Sequence, residues 1–422
     1  MRALLEESFA SAVAAADPLK VLSAHLPPPP RGRTLVVAAG KAAASMSLAV
    51  ERGWPPDARL EGLAITRYRH SLPTTRIRVL EAGHPVPDEA GEAGAREMLE
   101  RVRALGEDDL LLALISGGGS SLLSLPADGI SMQDLKAVTK QLLRCGAAIQ
   151  EINTVRKHLS MIQGGQLAAA SRAPVLALAV SDVTGDDPTH IASGPCAPDP
   201  TTFRDALQVL ESYGIEPPKS ARARLEDGAR GRIAETPKPG DAVFARVENR
   251  VIATAHASLE AAAGVFSAHG IQPVILGDTV TGEATEVAKV MAALVRESRR
   301  YRAPFRPPAA LISGGECTVT LRGEGGRGGR CSEFLLALAI ELGGMPGVHA
   351  LAADTDGIDG SEENAGAMIA PDTLARARTM GLDARRHLAR NDSYGFFAAL
   401  GDLLVTGPTL TNVNDYRAIV IA

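Results

Sequence analysis

Leu35-Val36-Val37-Ala38-Ala39-Gly40-Lys41-Ala42-Ala43-Ala44-Ser45-Met46-Ser47-Leu48-Ala49-Val50-Glu51 reads as a strand, a turn and a helix in direct succession. An apolar run ends in glycine, and a helical pattern begins at once. Lys41 stands at that turn, beyond the C-terminal end of the strand and at the start of the helix, where a lysine reaches a bound anion. The full G-x-x-x-x-G-K-[ST] pattern of a P-loop is missing. A lone lysine at a helix start also serves as plain surface charge.

The same unit recurs along the chain. Strand-like runs stand at Leu110–Ile115, Val175–Val180, Val251–Thr254, Ala309–Ile312 and His349–Ala353. Helical patterns cover 88–104, 132–143, 259–268 and 283–296. This alternation predicts α/β domains with parallel sheets. The chain has 422 residues, enough for two or three domains. Pro217–Asp241 is richer in proline, glycine and charge and reads as a surface connection. A two-domain division follows, with 1–240 as a Rossmann-like parallel sheet flanked by helices and 241–422 as a second α/β domain.

Composition narrows the class. Aromatics are only 3%, so the core rests on Ala, Val, Leu and Ile, which suits helices packed closely on a sheet. The net charge of −5 argues against nucleic acid as the main partner. Cys145, Cys196, Cys317 and Cys331 lack C-x-x-C spacing, so neither a zinc site nor a disulfide framework is indicated. Leu4, Leu5, Phe9 and Val13 fall at helical spacing, interrupted by Glu6 and Glu7, which reads as an amphipathic helix and not a signal peptide. No apolar run is long enough to span a bilayer. A reduced, cytoplasmic protein without membrane partners is the expectation, and a homo-oligomer is compatible with the sequence.

Several loops carry the chemistry. Gly323 to Glu333 holds five glycines with Arg327 and Arg330, between an apolar-polar strand pattern (Thr318–Leu321) and a helix from Phe334. Glycine backbones, a helix N-terminus and permanent cations predict an anion site, most simply for phosphate. Gly323-x-Gly325-x-x-Gly328 also has dinucleotide-fingerprint spacing, but without a clean βαβ context or an acidic residue closing a second strand. Ser116-Gly117-Gly118-Gly119-Ser120-Ser121 follows another strand and suits an anion nest. Ser181 to Pro188 brings Asp182, Asp186 and Asp187 onto one loop, fit for magnesium or a general base, or for turn formation. Asn153, Arg156 and Lys157 share a helix face that either holds a small carboxylate or is simply solvated. Asp354 to Gly360 is a calcium loop only superficially. Thr406 to Asp415 is dense in hydrogen-bonding groups before the last strand. Ala-Leu-Ile-Ser-Gly-Gly occurs at 113–118 and again at 310–315, so each sheet presents a polar loop. These parts are the inventory of phosphoryl transfer, where positioning and charge neutralisation dominate.

The ordered set Gly40 to Ala43, Ser116 to Ser121, Ile152 to Ser160, Ser181 to Asp187, Ile191 to Pro195, Ser313 to Glu316, Thr355 to Gly360 and Gly407 to Asp415 resembles the glycerate 2-kinase family with a MOFRL C-terminal domain, over nearly the whole chain. The resemblance implies transfer of the ATP γ-phosphate to the 2-hydroxyl of D-glycerate, with Mg2+. Some members carry the label hydroxypyruvate reductase, so that NAD(P)H-dependent activity is the rival. It also implies a cleft between the domains. Lys41 and Arg330 would be its charged pair, with Asp182 and Asp187 for metal or base work. Gly40, Ser116, Gly117, Gly118, Gly119, Ser120, Gly314, Gly315 and Glu316 would cradle ATP. Asn153, Arg156, Glu333, Asp356 and Asn412 would meet the substrate. One departure stands out: Cys331-Ser332 replaces the Asn-Gln that usually follows the arginine.

Overall fold

The structure is a computed structural model that describes residues 1–321 and 326–422. It divides into two compact units, Pro18–Ile252 and a second made of Met1–Asp17 with Ala253–Ala422. The division falls later than the expected 240/241 boundary, and the first helix belongs with the C-terminal half.

The N-terminal unit is built on a six-stranded sheet. Its strands are β1 (Thr34–Ala39), β2 (Leu60–Arg67), β3 (Ile77–Ala82), β4 (Leu110–Ser116), β5 (Val175–Val180) and β6 (Val247–Ala253), in the order β3-β2-β1-β4-β5-β6. The pairings from β3 through β5 are all parallel. Every residue of β1, β4 and β5 is buried, as expected of central strands covered on both faces. Helices Ala43–Gly53 and Glu89–Arg103 connect strands of this sheet. The second begins at Asp88, whose carboxylate accepts the Gly91 N–H at 3.0 Å. The strand order reverses between β1 and β4, and in such sheets ligands bind beyond the carboxyl ends of the strands at that point.

A helical layer, Met132–Arg144, Ile149–His158, Phe203–Ser212 and Lys219–Ala229, packs around its own core of Leu135, Val138, Ile152, Val155, Phe203, Leu210 and Leu225. The last of these helices lies inside the stretch expected to be a surface connection. Its Leu225 is buried, and the space a Cβ at Gly228 would need is filled by the Phe203 ring, 2.2 Å away. Tertiary packing therefore overrides the proline- and charge-rich composition there.

In the C-terminal unit the strands are β7 (Gln272–Gly277), β8 (Gly282–Glu283), β9 (Ala309–Ser313), β10 (Cys317–Thr318), β11 (Val348–Asp354), β12 (Gly366–Ile369), β13 (Leu403–Leu404) and β14 (Asp415–Ile421). β8 and β10 form a small pair, so the strand expected at 318–321 is cut short. The main sheet runs β13-β12-β11-β14-β9-β7 and is not parallel as expected: only β7 and β9 run together. Two causes are visible. β11 passes to β12 without a crossover helix, which permits only antiparallel neighbours. β14, the last strand, enters the middle and runs against both β11 and β9.

The N-terminal helix Arg2–Ala15 buries Leu5, Phe9 and Ala12 against Leu259, Ala262 and Phe266 of helix Ala255–Ala268, and against Tyr416. The Ser8 hydroxyl bonds the Tyr416 hydroxyl at 2.9 Å. Thr411 donates to the Ala16 carbonyl at 2.6 Å.

Candidate functional site

In the N-terminal unit, β1 and β4 deliver their loops side by side. The Lys41 N–H donates to the Gly117 carbonyl at 2.8 Å, and the Ala42 N–H to the Ser116 hydroxyl at 3.0 Å. This closeness needs glycine: Gly40 has φ +130°, and a Cβ there would lie 2.2 Å from Ser116 Oγ. Gly118 has φ +78° and abuts the His84 ring. The structure thus brings together Gly40, Lys41, Ser116, Gly117, Gly118, Gly119 and Ser120.

It adds a residue that sequence reasoning missed. Ser193, fully buried, bonds the Ser120 hydroxyl at 2.8 Å and donates to Asn153 Oδ1 at 3.1 Å. Ala192 (φ +50°), Ser193 (φ +60°) and Gly194 (φ +61°) are consecutive left-handed residues. Non-glycine residues in that region are costly and cluster at functional sites. The Ile191–Pro195 motif was visible, but nothing local foretold its conformation.

Helix Ile149–His158 presents no solvated face at the expected positions. Asn153 and Lys157 are buried, and the Lys157 ammonium pairs with buried Asp199 at 3.4 Å. Arg156 is half-buried, with its Nε bonded to Thr139 at 3.5 Å and no ion pair to a carboxylate among the described residues. Burial holds its guanidinium below the usual arginine range. Such a cation suits an incoming anion.

The Ser181–Pro188 loop leaves Asp187 exposed and Asp182 half-buried. Asp187 accepts the Thr189 N–H at 2.8 Å. Partial burial alone would raise its carboxyl; bonds from Thr189 and the charges of His190 and Lys157 outweigh it and hold the pKa down. Among the described residues no three His, Cys, Asp or Glu side chains converge as a metal cage.

In the C-terminal unit the second set of loops meets. Gly323 and Gly325, and with them the first half of the dinucleotide spacing, lie outside the described residues. The remaining glycines serve close packing: a Cβ at Gly326 would lie 2.6 Å from Asp392, at Gly328 2.3 Å from Ser393 Oγ, and at Gly329 2.3 Å from Asp359. The start of helix Arg330–Leu342 already has an acceptor. Buried Asp359 accepts the N–H groups of Cys331 (2.9 Å) and Ser332 (2.8 Å). The helix N-terminus expected to draw a phosphate is therefore met by the protein's own carboxyl group, whose pKa burial raises against the bonds from Ser332 and Cys331.

Arg330 is equally engaged. Its Nε donates to Asp415 at 2.7 Å and its Nη2 to Asp354 at 2.6 Å, with Glu316 at 3.3 Å from Nη1. Burial alone would lower its pKa, but these carboxylates drive it well above the arginine range. Cys331 is fully buried in the core of its unit. Glu333, also buried, accepts both bonds from Asn391 Nδ2, at 3.0 and 3.1 Å. Asp356 is buried, accepts the Ile358 N–H and donates its own N–H to Asp354. Asn412 is buried as well. Gly314 and Gly315 close β9, and Gly315 (φ +97°) lies against the Val280 backbone. A pocket of about 220 Å³ is lined by Cys317, Val319, Leu321, Gly326, Gly328, Gly329, Arg330, Glu333 and Asn391.

Sheets and loops together define an α/β enzyme with a Rossmann-type unit followed in sequence by a MOFRL-type unit. The chain belongs to the glycerate kinase family. A family profile described as "Domain of unknown function (DUF4147)" matches residues 4–226, and the MOFRL family profile matches 309–415. A D-glycerate 2-kinase of Thermotoga maritima is 40% identical over 98% of this chain and 97% of its own length. A glycerate 2-kinase of Pyrococcus horikoshii is 41% identical over 93% of this chain and 87% of its own. A protein of Agrobacterium vitis named putative hydroxypyruvate reductase is 51% identical over 100% of this chain and 94% of its own. The crystal structure of a glycerate kinase from Thermotoga maritima superposes with a TM-score of 0.87 at 39% identity, covering 99% of each chain.

Proposed function

We propose that this chain is an ATP-dependent kinase that transfers the γ-phosphoryl group to the 2-hydroxyl of D-glycerate, giving 2-phospho-D-glycerate and ADP. One observation carries the reading. The Gly40-Lys41 turn is hydrogen-bonded to the Ser116–Ser121 loop at the point where the strand order reverses, so a lysine and a glycine-serine loop share the place where such sheets bind ligands. The kinases to which the chain is similar over nearly its whole length support it.

In this reading Lys41 steadies the transferred phosphoryl group, and Gly40 with Ser116–Ser120 lines its cradle. Asn153 and Arg156 take the polar groups and carboxylate of glycerate. Magnesium would be held with ATP by only one or two protein carboxylates. Asp182 and Asp187 would supply them, and Asp187 is suited because its neighbours hold its carboxyl below the usual carboxylate range. The ion supplies neutralisation of charge on the phosphates. Arg330 acts as an oriented cation inside a carboxylate frame rather than as a free anion receptor. Gly314, Gly315, Glu316, Glu333, Asp356 and Asn412 shape the ligand contacts of its unit. No helix among the described residues is long and apolar enough to cross a membrane, and we place the enzyme in the cytoplasm.

The name of the Agrobacterium vitis relative favours a second reading, hydride transfer from NAD(P)H to hydroxypyruvate. The turn after β1 reads Gly40-Lys41-Ala42-Ala43, not the glycine fingerprint that a dinucleotide requires there. The deciding assay supplies D-glycerate, ATP and magnesium, follows ADP, and identifies the phosphoglycerate isomer by NMR. 2-Phosphoglycerate is the expected product. Oxidation of NADH with hydroxypyruvate, without ADP formation, would reverse the assignment.

A further inference from the structure

Arg417 stands on β14 opposite Ser313 of β9 and Ala352 of β11, in the middle of the sheet, and is 1% exposed. Its Nη1 donates to the Gly314 carbonyl at 2.9 Å. Its Nη2 donates to Asp415 Oδ2 at 2.7 Å, and also reaches the Gly315 carbonyl at 3.5 Å and Cys317 Sγ at 3.2 Å. The guanidinium carbon lies 5.6 Å from the centre of the Phe334 ring. A guanidinium buried this deeply depends on its carboxylate and carbonyl partners, here at Nη1 and Nη2, while Nε is buried without a partner among the described residues.

Asp415 is the hinge of the arrangement. One oxygen holds Arg417, and the other accepts Arg330 Nε at 2.7 Å. A single carboxylate therefore bridges two arginines, one fully buried and one at the start of helix Arg330–Leu342. Without Arg417, the Asp415 carboxyl is free to turn both oxygens toward Arg330, and the Gly314 carbonyl loses its donor. Through the shared Asp415, that loss would re-aim the Arg330 side chain. Lysine keeps the charge but is a point donor, and cannot hold Asp415 and the Gly314–Gly315 turn together as a planar fork does.

We propose that Arg417 is a positioning residue: it fixes Asp415 and the Gly314–Gly315 turn, and through them the direction in which Arg330 presents its charge. This rests on the reading of Arg330 as part of the catalytic machinery. The test is a double-mutant cycle on the full chain, measuring kcat and KM for ATP and glycerate in Arg417→Lys, Arg330→Ala and the double variant, with thermal melts alongside. The expected result is a folded Arg417→Lys with kcat lowered about 10-fold and less than about a threefold further loss in the Arg330→Ala background. Wild-type kcat in Arg417→Lys beside an impaired Arg330→Ala would overturn the positioning role alone. A full second 10-fold loss on top of Arg330→Ala would do the same, because a merely structural residue acts independently. Wild-type kcat in Arg330→Ala would instead remove the reading of Arg330, and this inference with it. Asp415→Asn, which keeps shape and removes the shared charge, is run in the same cycle. It must show the same non-additivity should Arg417→Lys fail to fold.

Discussion

Asp359, Lys157 and Lys41 show how differently charged residues are used in this chain. Asp359 spends its carboxyl group inside the protein, on the first N–H groups of helix Arg330–Leu342. Lys157 does likewise: Asp199 receives its ammonium together with the Thr201 and Thr236 hydroxyls. Burial by itself would raise the Asp199 carboxyl, but Lys157, the Thr201 bonds and His158 outweigh it and hold the pKa down. A depressed carboxylate contributes stability that is present above its unfolded value of about 3.9 and lost as pH falls through the lower folded value. Asp199→Asn should therefore flatten the acid limb of the stability curve. It should also cost about 3–5 kcal/mol at neutral pH, because Lys157 is left buried and unpaired. Denaturant titrations at pH 7 and pH 3 check this, and an unchanged acid limb would refute it. Lys41 is the residue we assign to the ligand. Lys41→Ala is expected to lower kcat about 10²–10³-fold, the loss typical of one preorganised charge partner, with an unchanged melting temperature. Full turnover would show that the phosphoryl group lies elsewhere. The place of Lys41 on the turn beyond β1 was legible because it follows a strand and a glycine. The occupation of Arg330 by Asp354 and Asp415 was not, because those partners are 24 and 85 residues away in sequence.

At the level of elements, the turn Ala192-Ser193-Gly194 stands apart. Its left-handed backbone costs on the order of 1–3 kcal/mol per non-glycine residue, and persists because neighbours over-determine it. Gly119 meets it directly, since a Cβ there would lie 2.5 Å from the Ala192 methyl. Ser193→Gly removes both the strain and the hydroxyl that links Ser120 to Asn153. Stability should stay level or rise by up to about 1 kcal/mol, while kcat/KM for glycerate falls at least about 10-fold. A variant with wild-type kcat/KM would reduce the turn to a structural role. The serine-glycine motif was readable in sequence. Its handedness was not, since serine has no intrinsic preference for positive φ and only packing imposes it.

For the molecule as a whole, the first helix is the clearest case of long-range control. Phe9 is buried with Leu259, Ala262, Phe266 and Tyr416 rather than with the sheet that follows it in sequence. Phe9→Ala should lower the stability of the C-terminal unit by about 3–5 kcal/mol, and leave a separate transition of the N-terminal unit unchanged. Calorimetry distinguishes the two, and a shift of both transitions together would contradict the division. The expectation of two α/β parts held because strand-helix alternation repeats along the chain. The expectation of two parallel sheets failed in the second part, because pairing direction depends on where β14 enters.

By itself, the sequence determined the local alphabet of this protein. It set the apolar strands of the first sheet and the glycine, lysine and serine turns at their C-terminal ends. Each is a matter of neighbours within a few residues, where side-chain periodicity and glycine conformation act directly. The tertiary structure alone decided that the Gly40-Lys41 turn bonds the Ser116–Ser121 loop, that Asp359 caps the helix behind the glycine-rich run, and that Asp415 is shared between Arg330 and Arg417. Those facts depend on strand order, strand direction and which loops arrive together. They are fixed by burying the whole core at once, not by any local preference.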